Sequence, residues 1–315
     1  MYLSYYGLRE EPFRLTPDPR FLQLPEPHRD ALTMLVHGVV DRRGLTLLSG
    51  PIGTGKTTIL NGMLSVLARR KPPKPLPTAL IVNPRVTSDE LLEMLLLEFE
   101  VTGGGTSRPA RLAALQRLLF DTLTSGGTCL LVVDEAHLLS KDVMEEIRLL
   151  MNTESYREKL LQVVLCGQPE LTRLLNEPEV KPLRQRIAER AILRPLSQSE
   201  MRMYIRERLR IAGFDAPVPF NSSSLDKIYE CTGGVPRLIN IVCDTCLLIG
   251  SESKRTQISD DIVEEAAARH DLTADSAAPG DGNRAAKPNE PVELTPLQLF
   301  GGPLQAAKIA GQGEL

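Results

Sequence analysis

A glycine-containing loop close to residue 50 has the residue types and spacing of a phosphate-binding site. It matches the pattern GxxxxGK[ST] and lies between an apolar stretch that predicts a strand, Leu45–Ser49, and a segment that predicts a helix from Lys56. Glycines let the backbone wrap closely around a phosphate, whose charge the loop N–H groups and the helix N-terminus attract. Lys56 can reach the β- and γ-phosphates, and the Thr57 hydroxyl can hold Mg²⁺. The predicted nucleotide contacts are Gly50, Pro51, Ile52, Gly53, Thr54, Gly55, Lys56, Thr57 and Thr58.

Two acidic residues follow a strongly apolar stretch. The run Leu130–Val133 predicts a buried strand, which would carry Asp134 to its carboxyl end beside the phosphate loop. There Asp134 can help to hold Mg²⁺, and Glu135 can orient an attacking water and accept its proton. The next residues complete the letters DEAH, but a helicase with that motif needs a second sheet domain, which the C-terminal half does not predict. We therefore expect His137 to be structural or a relay to a neighbouring element.

Two polar residues that end predicted strands are weaker candidates. Asn83 closes the strand Ala79–Val82 and could hydrogen-bond Glu135, holding it inactive until a partner engages. The alternative is an ordinary turn residue, since Asn is common at the ends of strands. Gln168 follows the strand Leu161–Cys166 and could contact the γ-phosphate or the attacking water.

Three arginines could act on the charge that develops during phosphoryl transfer. Arg184 and Arg186 follow the predicted sheet, where an arginine could reach the nucleotide of a neighbouring subunit. The alternative is a solvated basic helix face, and the sequence does not choose between the two residues. Arg237 follows the Gly-Gly turn and the proline of residues 233–236, which would aim it back toward the nucleotide from the start of a helix. Alternatively, it is a surface residue of an ordinary loop.

Apolar strands alternate with helical segments up to Leu196, which predicts a parallel sheet covered by helices on both faces. The predicted helices are Glu26–Val40, Lys56–Arg70, Ser88–Glu100, Pro109–Thr124 and Val143–Met151. Beyond Leu196 the spacing is helical only, in Ser199–Ala212, Ser222–Thr232, Pro236–Gly250 and Ser259–Ala268. We therefore expect an α/β fold followed by a small all-α domain. The expected domains are a leader of turns and the first helix (1–43), an α/β nucleotide-binding domain (44–196), a helical lid (197–270) and a disordered tail (271–315).

The composition restricts the class of protein. Of the 315 residues, 42% are hydrophobic and none is Trp, so we expect a mostly aliphatic core and exclude disorder over the whole length. The net charge of −3 argues against a protein that coats nucleic acid. No apolar run approaches the ~20 residues of a membrane-spanning helix, which predicts a cytoplasmic protein that a partner could hold at the inner face of the inner membrane. Cys243 and Cys246 lie in an apolar helical run, where core positions are favoured over a metal site.

The order of these motifs resembles that of the AAA+ ATPases, in which a phosphate loop, an acidic pair, a polar strand end and two arginine positions follow one another. Four stretches resemble more closely the ExeA/GspA–MshM (general secretion pathway protein A-like) group, over about residues 1–269. They are YGLREEPFRLTPDPRFLQLPEPHRDAL, CGQPEL, LRQRI and TGGVPRLINIVCD. The group is also similar to the TniB/TnsC ATPases of transposition and to origin-recognition (ORC-type) ATPases. The resemblance implies a P-loop NTPase fold that uses ATP and Mg²⁺.

The resemblance also implies a role for each candidate residue. Lys56 and Thr57 would belong to Walker A, Asp134 and Glu135 to Walker B, Gln168 would be sensor 1, Arg186 or Arg184 the arginine finger, and Arg237 sensor 2. The leader would pack near the adenine, with Phe13, Pro19 and His28 as candidates. Gln168 departs from the Asn or Thr that is common at sensor 1 among AAA+ proteins, although Gln is usual in this group.

The resemblance further implies an ATPase that remodels or positions a protein partner in secretion, pilus or envelope assembly, as a ring or helical homo-oligomer. Longer members of the group carry a membrane span and a peptidoglycan-binding domain, and we do not expect cell-wall binding from this sequence. A DNA-associated regulator of transposition or replication loading is the alternative. Two predicted helices between Asn83 and the Asp134 strand support it. Arg108 and Arg111 lie in this stretch, but so do Glu98 and Glu100.

Overall fold

The described residues form a five-stranded parallel sheet with helices packed on both faces. The computed structural model describes residues 2–15, 25–70, 74–103, 105–153 and 158–272, which belong to one compact unit, Met1–Ala277. The strands are β1 (Leu45–Ser49), β2 (Thr78–Ile81), β3 (Cys129–Val133), β4 (Leu161–Gly167) and β5 (Ile187–Ile192). Their order across the sheet is β2-β3-β4-β1-β5, and every neighbouring pair is parallel.

Helices cover this sheet and continue beyond it. The helices up to the last strand are α1 (Tyr2–Tyr6), α2 (Glu26–Val40), α3 (Lys56–Ala68), α4 (Ser88–Glu98), α5 (Arg108–Thr124), α6 (Lys141–Leu150), α7 (Pro169–Leu174) and α8 (Lys181–Arg184). Those after the sheet are α9 (Gln198–Ile211), α10 (Ser222–Thr232), α11 (Pro236–Glu252) and α12 (Asp260–Arg269). A short 3₁₀ helix, Ala136–Leu138, follows β3. The predicted fold class, a parallel sheet flanked by helices and followed by helices alone, is confirmed.

The central strands are buried along their whole length and largely apolar because both faces of the sheet are covered. In β3, Leu131 and Val133 pack in one hydrophobic cluster with residues of α4, α5 and α6. Leu130 and Val132 point the other way and pack in a second cluster with residues of α2 and α3. Successive side chains of a strand point to opposite faces, so a strand buried on both sides has no polar alternation. This is the reason that the first four strands could be predicted from the sequence.

The fifth strand was not predicted. Ile187–Ile192 contains Glu189 and Arg190, and it is only partly buried because it lies at the edge of the sheet, paired with β1 alone. Its polar residues break the apolar run that identifies a buried strand. As a result, the expectation that Arg184 and Arg186 follow the sheet is wrong, since both residues precede its last strand.

The helical part after the sheet has a hydrophobic cluster of its own, which includes the buried Cys243 and Cys246. The prediction that these cysteines are core residues is confirmed. The leader, expected as turns, instead begins with the helix α1, and Tyr2, Leu8 and Phe13 complete this helical cluster. Phe13 packs edge-to-face on Phe220, with ring centroids 6.5 Å apart. Residues 2–15 of the leader therefore pack with helices α9–α12, here called the lid helices.

Two remaining expectations concern the membrane and the tail. Among the described residues, no helix is long and apolar enough to cross a membrane. The predicted tail, 271–315, lies outside the described residues beyond Leu272. The domain bounds given above remain a prediction.

Candidate nucleotide-binding site

The phosphate loop connects β1 to α3 at the carboxyl edge of the sheet. Gly53 and Gly55 adopt left-handed backbone angles, with φ of 78° and 95°, which non-glycine residues rarely accept. The backbone N–H of Gly50 donates to the carbonyl of Gly167 at 3.2 Å, and this bond anchors the start of the loop to the end of β4. Gly55 is the residue immediately before the helix, so the N-terminus of α3 opens into the loop.

Lys56 is a buried cation inside this loop. It is only 7% exposed, and its Nζ donates to the carbonyls of Gly50 and Pro51 at 2.8 and 3.0 Å. In the part of the chain that the structure describes, no carboxylate forms an ion pair with it. A buried ammonium group without a counter-charge favours an anionic ligand, so the loop suits a phosphate.

Thr57 and Asp134 meet at the junction between the loop and β3. The Thr57 hydroxyl donates to Oδ2 of Asp134 at 3.1 Å, while the other carboxylate oxygen accepts from the backbone N–H of Glu135 at 2.9 Å. Parallel pairing with β2 fixes the position of Asp134, whose N–H donates to the carbonyl of Ile81. A hydroxyl and a carboxylate oxygen side by side are ligands that Mg²⁺ accepts, so these two residues suit that ion.

Glu135 stands beside this pair with a strained backbone. Its φ is 50°, in the left-handed region that few non-glycine residues occupy. Its Oε2 lies 3.5 Å from Nε2 of Gln168 and 3.2 Å from Nδ1 of His137. Because β4 lies between β3 and β1, Gln168 comes between the acidic residues and the phosphate loop. The sheet thus brings Glu135 and Gln168 together, because β3 and β4 are neighbours and end at the same edge.

In the described part of the chain, Asn83 does not make the hydrogen bond to Glu135 that was expected from the sequence. It is exposed, two residues beyond the end of β2, and among the described residues no hydrogen bond joins it to Glu135. The carboxylate of Glu135 contacts Gln168 and His137 instead. The role of Asn83 as a switch stays a prediction, and this conformation does not contain the contact on which it depends.

A cavity of about 410 Å³ separates the loop from the helices, a size within the roughly 300–1,000 Å³ of small-molecule sites. One side, here called the loop wall, is formed by residues 52–58 and Glu135. The other, the helix wall, is formed chiefly by His28, Leu196, Tyr204, Arg208, Arg237 and Asn240. Among the described residues, four cations line the cavity (Arg14, Lys56, Arg208 and Arg237), against the single carboxylate of Glu135. This excess of positive charge suits a polyanionic ligand.

Arg237 joins the two walls. Its backbone N–H donates to the carbonyl of Gly53 at 3.1 Å, so the first turn of α11 is bonded directly to the phosphate loop. A Cβ on Gly53 would lie 2.9 Å from Cγ1 of Val235 and 3.0 Å from Cβ of Arg237. The lid can approach the loop this closely only because residue 53 has no side chain. Arg237 also lies in the cavity lining, and its action on a nucleotide stays a prediction.

Of the three leader residues proposed to lie near the adenine, His28 lines the cavity. It is 3% exposed, and its Nε2 lies 2.7 Å from the carbonyl of Thr54, which can only accept, so Nε2 carries the proton. Burial lowers the pKa of His28, a shift that the Thr54 carbonyl partly opposes. Its other ring nitrogen, Nδ1, is buried without a hydrogen-bond partner in the described residues. Phe13 lies in the helical core instead, and Pro19 lies outside the described residues.

Sequence reasoning missed most of the helix wall. Tyr204 donates its hydroxyl to Oδ1 of Asn240 at 3.0 Å, and its ring packs under the guanidinium of Arg208, 5.1 Å from the ring centroid. Burial raises the pKa of Tyr204 and keeps the hydroxyl protonated. Helical spacing could have indicated Asn240, since it lies one turn after Arg237 and shares its face. Nothing local distinguishes Tyr204 from a core residue.

The two candidate arginine fingers lie elsewhere. Arg184 is exposed at the end of α8, and Arg186 is half-buried just before β5. Neither contributes to the cavity. Their proposed action on a neighbouring subunit's nucleotide stays a prediction.

Comparison with known proteins agrees with this geometry. The family model of the AAA domain matches residues 40–175, which span β1 to β4 and include the loop wall. This chain contains an AAA domain. General secretion pathway protein A of Aeromonas hydrophila is 40% identical over 256 residues, which are 79% of this chain and 44% of that protein. The chain thus spans less than half the length of this relative. The predicted resemblance to the AAA+ ATPases and to the secretion group is confirmed.

Several solved structures share the fold of the AAA domain and the lid. Drosophila ORC bound to DNA has a TM-score of 0.65 at 18% identity, covering 87% of this chain and 67% of that one. Aeropyrum pernix ORC2 has a TM-score of 0.60 at 13% identity, with coverages of 82% and 71%. Cdc6p from Pyrobaculum aerophilum has a TM-score of 0.59 at 17% identity, with coverages of 81% and 69%. At such low identity, the likeness establishes the fold alone.

Proposed function

We propose that this chain binds ATP with Mg²⁺ and hydrolyses it. The observation that carries the proposal is the hydrogen bond between Thr57 and Asp134, formed beside the buried Lys56 and the carboxylate of Glu135. A P-loop ATPase needs these four groups at one place. Residues far apart in the chain supply them here.

The roles of the residues follow from their chemistry. Lys56 and the N–H groups of the loop bind the phosphates, and Thr57 with Asp134 holds Mg²⁺. When bound, Mg²⁺ neutralises charge on the phosphate oxygens. Glu135 orients the attacking water and accepts its proton. Gln168 donates its amide hydrogens beside Glu135, and Arg237 contributes positive charge from the lid.

We further propose a homo-oligomer, ring or helical, in which Arg186 of one subunit approaches the nucleotide of the next. Its location outside the cavity of its own chain supports action on a neighbour. We expect Arg186→Ala to lower turnover only under conditions in which the chain assembles, and Arg184→Ala to leave turnover unchanged. The reverse result would assign the arginine finger to Arg184.

For the biological role we propose the remodelling or positioning of a protein in secretion, pilus or envelope assembly, at the cytoplasmic side of the inner membrane. Its support is the 40% identity to a protein named for the general secretion pathway, over most of this chain. The proposal draws only on the part of that protein that matches this chain, which is 44% of its length.

A DNA-associated role is the second candidate. Two helices, α4 and α5, separate β2 from β3, and one solved structure of similar fold is ORC bound to DNA. Against it, Arg108 is paired with Asp89 and Glu146 at 2.5 and 2.6 Å, and Arg111 is paired with Glu93 at 2.5 Å. Cations engaged in this way are less available to phosphates, so we rank the DNA role second.

Two experiments test these proposals. Calorimetry with ATP and Mg²⁺, followed by a phosphate-release assay, tests the ATPase, and the absence of ATP binding would refute it. Fluorescence anisotropy of a labelled DNA duplex with the ATP-loaded chain tests the DNA role across a salt series. Binding that weakens steeply with salt would favour that role, and no binding at low salt would favour the secretion role.

A further inference from the structure

His137 completes a triangle of side chains at the edge of the site. It lies in the 3₁₀ helix immediately after Glu135, and its side chain is 13% exposed. Its Nδ1 is 3.2 Å from Oε2 of Glu135, and its Nε2 is 3.3 Å from Nε2 of Gln168. The third side is the 3.5 Å contact between Gln168 Nε2 and the same Glu135 oxygen. His137 is not part of the cavity lining, so it can act on a nucleotide only through the other two residues.

The backbone around the triangle is tightly packed. A Cβ on Gly167, the residue before Gln168, would lie 3.2 Å from the backbone N of His137. The N–H of Leu138 donates to the carbonyl of Glu135 at 2.9 Å and closes the 3₁₀ turn. The end of β4 and the 3₁₀ helix are therefore in direct contact, and the three side chains start from fixed positions.

The hydrogen-bond donors and acceptors of the triangle form a consistent set. The carboxamide nitrogen of Gln168 has two hydrogens, of which one can go to Glu135 Oε2 and the other to His137 Nε2. Nε2 then accepts, and the ring proton lies on Nδ1, which faces the carboxylate of Glu135. The backbone N–H of Gln168 lies 3.5 Å from Nδ1 and would donate to it only in the other tautomer. We assign the proton to Nδ1 because the Glu135 carboxylate is a closer and charged acceptor, 3.2 Å away.

The opposite orientation of the Gln168 amide is unfavourable. It would place the amide oxygen against the Glu135 carboxylate, so that two acceptors would face each other. We propose that His137 is a positioning residue, which directs the amide hydrogens of Gln168 toward Glu135 and fixes the carboxylate beside them. This inference rests on the proposed ATPase function. It assigns to His137 and Gln168 the contact with Glu135 that sequence reasoning gave to Asn83.

Steady-state hydrolysis by the full chain tests the proposal. We expect His137→Ala to lower kcat at least about ten-fold, because Glu135 and Gln168 lose their relative orientation. ATP affinity and KM should stay within about two-fold, because His137 does not line the cavity. His137→Gln, whose amide can both donate to Glu135 and accept from Gln168, should restore most of the rate. His270→Ala, a substitution of an exposed histidine that bonds Thr245, is the matched control and should behave as wild type.

A double-mutant cycle separates positioning from a general loss of structure. If His137 acts through Gln168, His137→Ala should reduce the rate of a Gln168→Ala chain far less than that of wild type. Additive losses would overturn the proposal. So would a parallel fall of kcat, ATP affinity and melting temperature in His137→Ala, since that pattern indicates a structural role.

The tautomer of His137 can be measured without turnover. Nitrogen-15 NMR of the histidine side chains, of which the chain has four, should show that the Nδ1–H tautomer of His137 predominates over the Nε2–H tautomer. A proton on Nε2 would refute the hydrogen-bond assignment even in an active enzyme. A wild-type chain that bound ATP without hydrolysing it would contradict the proposed function, and the NMR result would still decide for or against His137.

Discussion

The two walls of the cavity differ in how far apart their residues lie in the chain. Residues 52–58 of the loop wall are consecutive, and parallel strand pairing brings Glu135 to them. The helix wall combines residues from α2, α9 and α11, which are separated by more than 150 residues between His28 and Tyr204. The first wall is determined by one motif and one sheet register, whereas the second exists only when the lid packs against the AAA domain.

The walls also differ in the partners of their polar groups. On the loop wall, Lys56 and Thr57 have hydrogen-bond partners within the site. On the helix wall, Nδ1 of His28 has none among the described residues. A buried polar atom without a partner weakens the folded state unless a ligand satisfies it. We infer that the loop wall is preformed for phosphate chemistry, and that substitutions in the helix wall, or where the two walls touch, should change stability and lid contact.

The largest expected effect is on the chemistry of the loop wall. Replacing Glu135 with Gln removes the proton acceptor and should lower ATP hydrolysis by about 10²–10⁴-fold, with ATP binding nearly unchanged. Phosphate release and calorimetry measure the two quantities. Glu170→Gln, an exposed control, should have no effect. Equal rates for wild type and Glu135→Gln would leave Glu135 without its proposed role.

Lys56→Ala should act on binding rather than on the chemical step alone. Loss of the buried ammonium group should weaken ATP binding roughly a hundred-fold, which corresponds to about 2.7 kcal/mol. Calorimetry is the direct measurement, and Lys181→Ala in the exposed start of α8 is the control. Retention of wild-type affinity in Lys56→Ala would contradict the assignment of the phosphate loop.

Gly53→Ala tests the contact between the two walls. The new Cβ would be strained at a φ of 78° and would also meet Val235 and Arg237, so we expect a loss of about 2–4 kcal/mol of unfolding free energy. Gly126 has a φ of 75° and nothing within 4 Å, so Gly126→Ala should lose only about 1–2 kcal/mol from backbone strain. Urea unfolding measures both, and equal losses would argue against close packing of the lid on the loop.

The smallest effect concerns His28 and pH. Because burial lowers its pKa below the ordinary 6.5, the unfolded chain takes up a proton below pH 6.5 that the folded chain does not. Stability should therefore fall as the pH drops from 6.5 toward the lower folded-state value, by at most about 1.4 kcal/mol per pH unit. Urea unfolding at pH 7.5 and 5.5 should show a smaller difference for His28→Gln than for wild type. An identical pH dependence in both would mean that His28 is not held neutral.

Agreement between sequence and structure was greatest where the relevant interactions are local. The helices α2 and α10 begin and end where the sequence predicts, because their caps and apolar faces lie within one segment. The strand β5 escaped prediction, since its partner β1 is more than 130 residues away and its own residues are mixed in polarity. The leader helix α1 depends likewise on a distant partner, the lid cluster.

The sequence by itself determined the phosphate loop, the acidic pair, the apolar strands and hence the AAA domain. Each of these depends on residues that lie close together in one segment: a motif for the loop and the acidic pair, and a continuous apolar run for the buried strands. Tertiary structure alone decided that Glu135 contacts His137 and Gln168 rather than Asn83, and that Tyr204 and Arg208 line the cavity. Those contacts depend on the order of the strands and on the position of the lid helices next to the phosphate loop. Both are set by packing between distant segments.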